Sequence, residues 1–273
     1  MVFFAHEQNP LNPGDSSCSP ASYLDFGSKV QKFVCIRNIE NEKIRSSDTV
    51  ILGGGGLLNG TFHPLIDSIF QKNPRIIFWS IGTNLHFWAQ PPRNSILGTF
   101  NSYILSAKAK GINWKRNNIY TKYESEVLTK ASLSGVRDYQ DEFTIIPCPT
   151  CLHPIFDDFT FHPNKNTEIK GIFEHSSFFP LKENKKQKKF DYIGRDMVSV
   201  VTDIASCSSI VTSSYHCAYW GMLLGKQVSI RSFSTKHLYL KPLLQVAKSQ
   251  GLSFLHWSRK RNLEFRNEIE QFL

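Results

Sequence analysis

Residues 48–58, Asp-Thr-Val-Ile-Leu-Gly-Gly-Gly-Gly-Leu-Leu, hold the reading that decides the fold. Asp48 to Leu52 is a short β-rich run that passes into Gly53, Gly54, Gly55 and Gly56 before the apolar pair Leu57 and Leu58. A strand that enters glycines marks a sheet edge in an α/β fold, where the backbone turns tightly or meets a ligand with no Cβ between them. No Gly-Lys-Ser or Gly-Lys-Thr follows, and Leu58 stands where a dinucleotide fingerprint needs its last glycine, so both of those phosphate loops are excluded. Two readings stay open: a structural turn, or a loop in which Gly54, Gly55 and Gly56 present backbone N–H groups to an anion or a sugar.

Outward from this run, Pro64 to Phe70 has helical spacing, and Arg75 to Ile81 is a strong strand ending at Gly82. Ser102 to Lys110 and Tyr123 to Thr129 read as helices; Leu133 to Val136 and Phe143 to Ile146 read as strands. Farther on, Ile169 to Phe173, Ser209 to Thr212 and Gln227 to Ile230 are strands separated by the amphipathic segments Met197 to Ala205 and His216 to Leu224. Strands alternating with helices predict parallel sheets flanked by helices in two Rossmann-like lobes, residues 1–160 and 161–273. The leucine-rich terminal stretch after Leu238 reads as helical and packed across the lobes.

The chain has 273 residues, 41% of them hydrophobic and 13% aromatic, enough for buried cores and unlike a disordered composition. Its formal charge of +9 favours anionic partners. Much of that excess lies in Lys182, Lys185, Lys186, Lys188 and Lys189, which read as a solvated linker, with a peripheral membrane contact as the alternative. No aromatics are interleaved there, so nucleic acid is not an expected partner. The start MVFFAHEQNP lacks the pattern of a signal peptide, and no run is long enough to span a bilayer, so a cytoplasmic location is expected.

Several residues have the chemistry of a site. Asn12, Gly14 and Asp15 lie in a polar turn-forming segment, where a carboxylate at a loop tip can accept a proton from a sugar hydroxyl. Arg137 and Asp138 end an apolar strand; the guanidinium can fork onto a carboxylate or phosphate, or simply pair with the next turn. Ser213, Ser214, Tyr215 and His216 stand where a strand passes into a helix, so hydroxyls, an imidazole and free helix N–H groups can converge on an anion. Lys226, Arg231, Lys236 and His237 follow and can add positive charge. Cys148-Pro-Thr-Cys151 with His153 is too small a set for a tetrahedral metal site and reads first as a rigid inter-lobe turn. No metal and no cofactor are expected.

Taken together these passages resemble the polysaccharide pyruvyl transferase family. The pieces that carry the resemblance are Asn12, Gly14 and Asp15; ILGGGGLL; FWSIG from Phe78 to Gly82; SGVRD from Ser134 to Asp138; PCPTCLHP from Pro147 to Pro154; and VTSSYHCAYWGMLLGKQV from Val211 to Val228. The resemblance implies a two-lobed arrangement like that of GT-B glycosyltransferases and transfer of a pyruvyl ketal from phosphoenolpyruvate to two hydroxyls of a cell-surface glycan or lipid-linked saccharide. It places His216 at the family's histidine and gives Asp15 or Asp138 the task of orienting or deprotonating an acceptor hydroxyl. One position departs: the family's Ser-Arg-Leu-His is here Ser213, Ser214, Tyr215 and His216, so Ser214 replaces an arginine that helps to bind phosphoenolpyruvate. The resemblance then requires another cation, Arg231, Lys226 or Lys236, or a different donor. A nucleotide-sugar glycosyltransferase and a non-catalytic glycan-binding protein of the same fold are the alternatives.

Overall fold

The structure is a computed structural model of the chain and describes residues 1–27, 31–84, 120–158, 168–175, 187–231 and 234–273. The first lobe holds a six-stranded sheet, all of whose neighbours run parallel: β1 (Val2–His6), β2 (Gln31–Cys35), β3 (Thr49–Leu58), β4 (Arg75–Thr83), β5 (Leu133–Val136) and β6 (Thr144–Ile145), in the order β2-β1-β3-β4-β5-β6. Every residue of β1 is buried, as expected for a parallel strand covered on both faces, which shows no polar alternation. That is why the amino terminus gave no strand in the sequence reading, although it is central to the sheet. Preceding α1 (Pro13–Ser16) in importance for the core, α2 (His63–Gln71) sets Ile66 and Ile69 against the sheet, with α3 (Lys122–Lys130) contributing Val127 and Leu128.

The glycine run does not leave the strand. Residues 53–56 stay within β3, which lasts ten residues, and Gly54 and Gly55 take φ values of +69° and +100° beside a register shift against β4. Positive φ is the conformation glycine adopts without a Cβ clash, so the run bends a strand rather than ending one.

In the second lobe β7 (Lys170–Phe173), β8 (Gln187–Phe190), β9 (Ser209–Thr212) and β10 (Gln227–Ile230) form a parallel four-stranded sheet in the order β10-β9-β7-β8. It is flanked by α4 (Met197–Ser206) and α5 (Tyr215–Leu223). Lys188 and Lys189, read as linker, lie in the edge strand β8, where Lys189 pairs with Glu174 at 2.6 Å and Lys188 sits over the Phe190 ring. Lysine on an edge strand discourages pairing with another chain. Lys182, Lys185 and Lys186 and the helix expected over Ser102 to Lys110 lie outside the described residues.

The chain ends in α6 (Leu240–Ser249) and α7 (Phe254–Glu270). One helix joins the lobes: Phe254 and Trp257 of α7 belong to the second lobe's core, whereas Phe265 and Ile269 pack with Phe4 and Trp79 of the first. Asn262 between them accepts from Trp79 Nε1 at 2.9 Å and donates to the Pro147 carbonyl at 3.1 Å. The Cys148–Cys151 turn lies in the same layer, where Tyr219 donates to the Cys148 carbonyl at 2.9 Å and Trp220 Nε1 to Thr150 Oγ1 at 3.0 Å. Burial pushes the Cys148 thiol up and the Cys151 thiol to about 12, so this turn holds inert packed thiols.

Candidate functional site

In each lobe the strand order reverses once: between β1 and β3 in the first, between β7 and β9 in the second. Open α/β sheets bind ligands at the carboxyl ends of the strands beside such a reversal. Residues following β1, β5, β9 and β10 meet there.

After β1, Asn12 caps α1 through Gly14 N–H at 3.2 Å and its Nδ2 donates to Asp15 Oδ2 at 2.6 Å. Across the lobe boundary Tyr192 donates to Asn12 Oδ1 at 2.5 Å, and Gly194 N–H donates to the Leu11 carbonyl at 3.0 Å. These bonds draw the loop onto the second lobe. A Cβ on Gly14 would lie 1.8 Å from His216 Nδ1, so glycine alone lets this backbone rest against the imidazole. Burial raises the Asp15 pKa, against the opposing pull of Lys236 and Arg137.

After β5 come Arg137 and Asp138. The Arg137 guanidinium lies 4.3 Å from the centre of the Tyr215 ring of the other lobe, a cation–π contact between the lobes. It occupies space that Gly56 and Gly82 leave open, since a Cβ on Gly82 would stand 2.5 Å from Arg137 Nε and one on Gly56 3.0 Å from Nη2. Although Arg137 is only 2% exposed, its Nε has no hydrogen-bond partner and it forms no ion pair among the described residues. Asp138 Oδ2 accepts from Thr83 N–H at 2.7 Å and Tyr120 O–H at 3.4 Å, while Oδ1 is buried without a partner. Burial pushes its carboxyl to about 6, against the pull of Arg137.

After β9, Ser213 Oγ accepts from His175 N–H at 3.0 Å, and its carbonyl lies 2.9 Å from His237 Nε2. A carbonyl only accepts, so His237 is protonated on Nε2 and its Nδ1 accepts from Ser234 at 3.2 Å. Ser214 caps α5 by accepting from Cys217 N–H at 3.3 Å. Next in the chain, Tyr215 Oη and His216 Nε2 are buried without partners. Burial, then Arg137 and Lys236, hold the His216 pKa well below that of an ordinary imidazole. Lys236, on the turn Thr235–His237 that packs against β4, is pushed down to about 8 by burial and Arg137, against the opposing effect of Asp15.

The structure therefore brings together Asn12, Asp15, Arg137, Tyr215, His216 and Lys236, with Asp138 adjoining Arg137. Others have different work. Gly54 and Gly55 face the Cys18 segment, a Cβ on Gly54 falling 2.0 Å from the Cys18 carbonyl oxygen. The Ser213 and Ser214 hydroxyls are engaged in the fold, Lys226 donates to the Ala205 and Cys207 carbonyls, and Arg231 is exposed. Tyr120 and Tyr192 were not anticipated, because nothing local separates a tyrosine at a crevice from one in a core. Ser80 left a signal: it is a polar residue inside the apolar strand Arg75–Thr83, is fully buried with an unpartnered Oγ, and has a φ of +55°.

No family model, no curated protein and no solved structure matches the chain. Among the described residues no group of three or more His, Cys, Asp and Glu is placed to hold a metal ion, and no helix is long and apolar enough to cross a membrane.

Proposed function

We propose that this chain is a pyruvyl transferase-like enzyme of GT-B-like arrangement, moving the enolpyruvyl carbons of phosphoenolpyruvate onto two hydroxyls of a glycan or lipid-linked saccharide. The observation that supports it most is Arg137, a buried guanidinium with neither an acceptor on Nε nor an ion-pair partner among the described residues. Removing such a charge from water costs several kcal/mol, and an anionic ligand is what offsets it. With Lys236 beside it, the crevice suits a small donor carrying a phosphate and a carboxylate. These two cations supply the charge that Ser214 does not, whereas Arg231 remains outside.

In this reading Arg137 forks onto one anionic group and Lys236 meets the other as a point charge. The methylene carbon of the donor gains a proton, the central carbon becomes oxocarbenium-like and one acceptor hydroxyl adds to it; phosphate then leaves and the second hydroxyl adds to the same carbon to close the ketal, each hydroxyl giving up its proton. His216, kept neutral, can accept a hydroxyl proton; Asp138, poised near 6, can hold or release one close to neutral pH. Asp15 and Asn12 face the acceptor from the first lobe.

The test is calorimetry of the full chain with phosphoenolpyruvate, UDP, GDP and CMP, followed by phosphate release across a panel of glycan acceptors. Phosphoenolpyruvate binding with acceptor-dependent phosphate release, abolished in His216→Ala, is the expected result. Tight UDP or GDP binding with none for phosphoenolpyruvate would replace this reading with nucleotide-sugar glycosyl transfer.

A further inference from the structure

The side-chain amide of Asn12 is held from both lobes at once, and the way it is held fixes which end faces Asp15. Gly14 N–H, 3.2 Å from Asn12 Oδ1, can only donate, so the amide oxygen lies on that side. Tyr192 Oη stands 2.5 Å from the same oxygen and therefore donates to it as well. With both lone pairs of Oδ1 engaged the amide cannot turn over, and Nδ2 is left to donate to Asp15 Oδ2 at 2.6 Å. Two hydrogen bonds thus run in series from the second lobe through Asn12 to a first-lobe carboxylate, an arrangement in which each bond strengthens the next. The other oxygen of that carboxylate, Asp15 Oδ1, makes no hydrogen bond among the described residues.

Tyr192 follows the edge strand β8, and its ring is buried in the second lobe's core with the His175 ring 6.3 Å away. Phenylalanine would serve that packing as well; the hydroxyl is what reaches the other lobe. Burial holds the phenol well above its ordinary range, so it stays protonated and remains a donor at neutral pH. The seat has a second point, where Gly194 N–H donates to the Leu11 carbonyl at 3.0 Å. It also has a registering contact, because Gly14 rests against the His216 imidazole where no Cβ would fit. The loop that carries Asp15 is therefore fixed against the second lobe on three sides, and only one of these contacts, through Asn12, continues to the carboxylate itself.

We propose that Tyr192 is a positioning residue: through the Asn12 amide it aims Asp15, leaving Oδ1 free for a hydroxyl of the acceptor bound between the lobes. Asn12 carries the aim, since its oxygen is used up by Tyr192 and Gly14 and its nitrogen fixes Asp15 Oδ2. The lobe that supplies His216 and Lys236 thereby also sets the orientation of the carboxylate on the opposite side of the crevice. No bond is made or broken in this role; the relay orders one oxygen. Its importance for turnover rests on the transfer reaction proposed above, but the relay itself does not.

Nitrogen-15 correlation spectra of the full chain read the relay at the Asn12 side-chain amide, assigned as the pair of signals missing from Asn12→Asp. A hydrogen held by a carboxylate resonates downfield of its free twin and exchanges slowly with water, so the pair is wide in the wild type and collapses in Asp15→Ala. Tyr192→Phe keeps the packed ring, removes only the hydroxyl, and narrows the pair toward its Asp15→Ala value. In phosphoenolpyruvate-dependent phosphate release the same variant lowers kcat/KM for the glycan acceptor by about fivefold to tenfold, the loss of one hydrogen bond. Phosphoenolpyruvate affinity stays where it was, because Arg137 and Lys236 are untouched. A wild-type pair no wider than that of Asp15→Ala, or a pair indifferent to Tyr192→Phe while donor affinity and acceptor turnover fall together, overturns the proposal. A pair narrowed by Tyr192→Phe in a protein that transfers nothing from phosphoenolpyruvate retains the relay and discards the transfer reading; transfer whose acceptor kcat/KM ignores Tyr192→Phe does the reverse.

Discussion

Two turns of one helix differ in how their polar groups are satisfied. In α5, Tyr219 and Trp220 are fully buried, and each finds a partner in the Cys148–Thr150 turn, at 2.9 and 3.0 Å. One turn earlier, Tyr215 Oη and His216 Nε2 are also buried and have no partner among the described residues, and neither has Nε of the guanidinium that covers Tyr215. The later turn is finished by the fold. The earlier one is where the proposed function places its ligand, because a native structure rarely leaves several neighbouring buried polar groups unpartnered without a use for them.

The strongest way to break this contrast is at the finished turn. Trp220→Ala removes a fully buried indole and the N–H that Thr150 Oγ1 accepts, so stability falls by about 3–5 kcal/mol in denaturant titration. A loss under 1 kcal/mol would mean that the inter-lobe layer is not a core.

Acid titration sharpens the contrast at the unfinished turn. The Asp138 carboxyl is raised from 3.8 to about 6 in the folded chain, so the folded form binds the proton more tightly. Its contribution is present below pH 3.8 and is lost as pH rises through about 6, a change on the order of 2–3 kcal/mol. His216 has the opposite sign: its pKa is lowered from 6.5, so its contribution is present above 6.5 and is lost as pH falls. Comparing stability against pH for wild type, Asp138→Asn and His216→Gln should remove one limb in each variant. Superimposable curves for all three would show that neither group is desolvated.

Arg137→Met tests whether the unpaired charge is a cost carried for function. Without ligand, the variant should be as stable as wild type or more stable by about 1–3 kcal/mol, since an isolated buried guanidinium gives way to apolar contact with Tyr215. Phosphoenolpyruvate binding should disappear. Marked destabilisation would reveal a partner for the guanidinium and make the two turns alike. Ser214→Ala has the smallest expected effect, about 1 kcal/mol in thermal unfolding, because that hydroxyl caps α5 through Cys217 N–H. A loss of donor affinity at unchanged stability would return Ser214 to the binding surface.

Much of the site was legible as segments. Asn12, Asp15, Arg137, His216 and Lys236 each stand just beyond a strand or at a helix start, where polar residues in an α/β fold are exposed to a crevice. Their division of labour was not legible. Arg137 and Arg231 are both arginines that directly follow strands, yet one is buried over an aromatic ring and the other is exposed. Ser213 and Ser214 read as ligand contacts because hydroxyls at a helix start serve either purpose, and only the bonds to His175 and Cys217 show that the fold uses them. The glycines of β3 posed the same problem: positive φ and close packing on Cys18 call for the same residue as a ligand loop.

The sequence by itself determined the alternation of strand and helix, the parallel sheets and the helical end, because periodicity and glycine or proline punctuation act within a few residues. Tertiary structure alone decided that Val2–His6 lies inside the sheet, that α7 ties two cores together, and that Arg137, Tyr215, His216 and Lys236 share one crevice. Those outcomes depend on desolvation and on contacts between residues far apart in the chain, and neither is encoded in the pattern of any single segment.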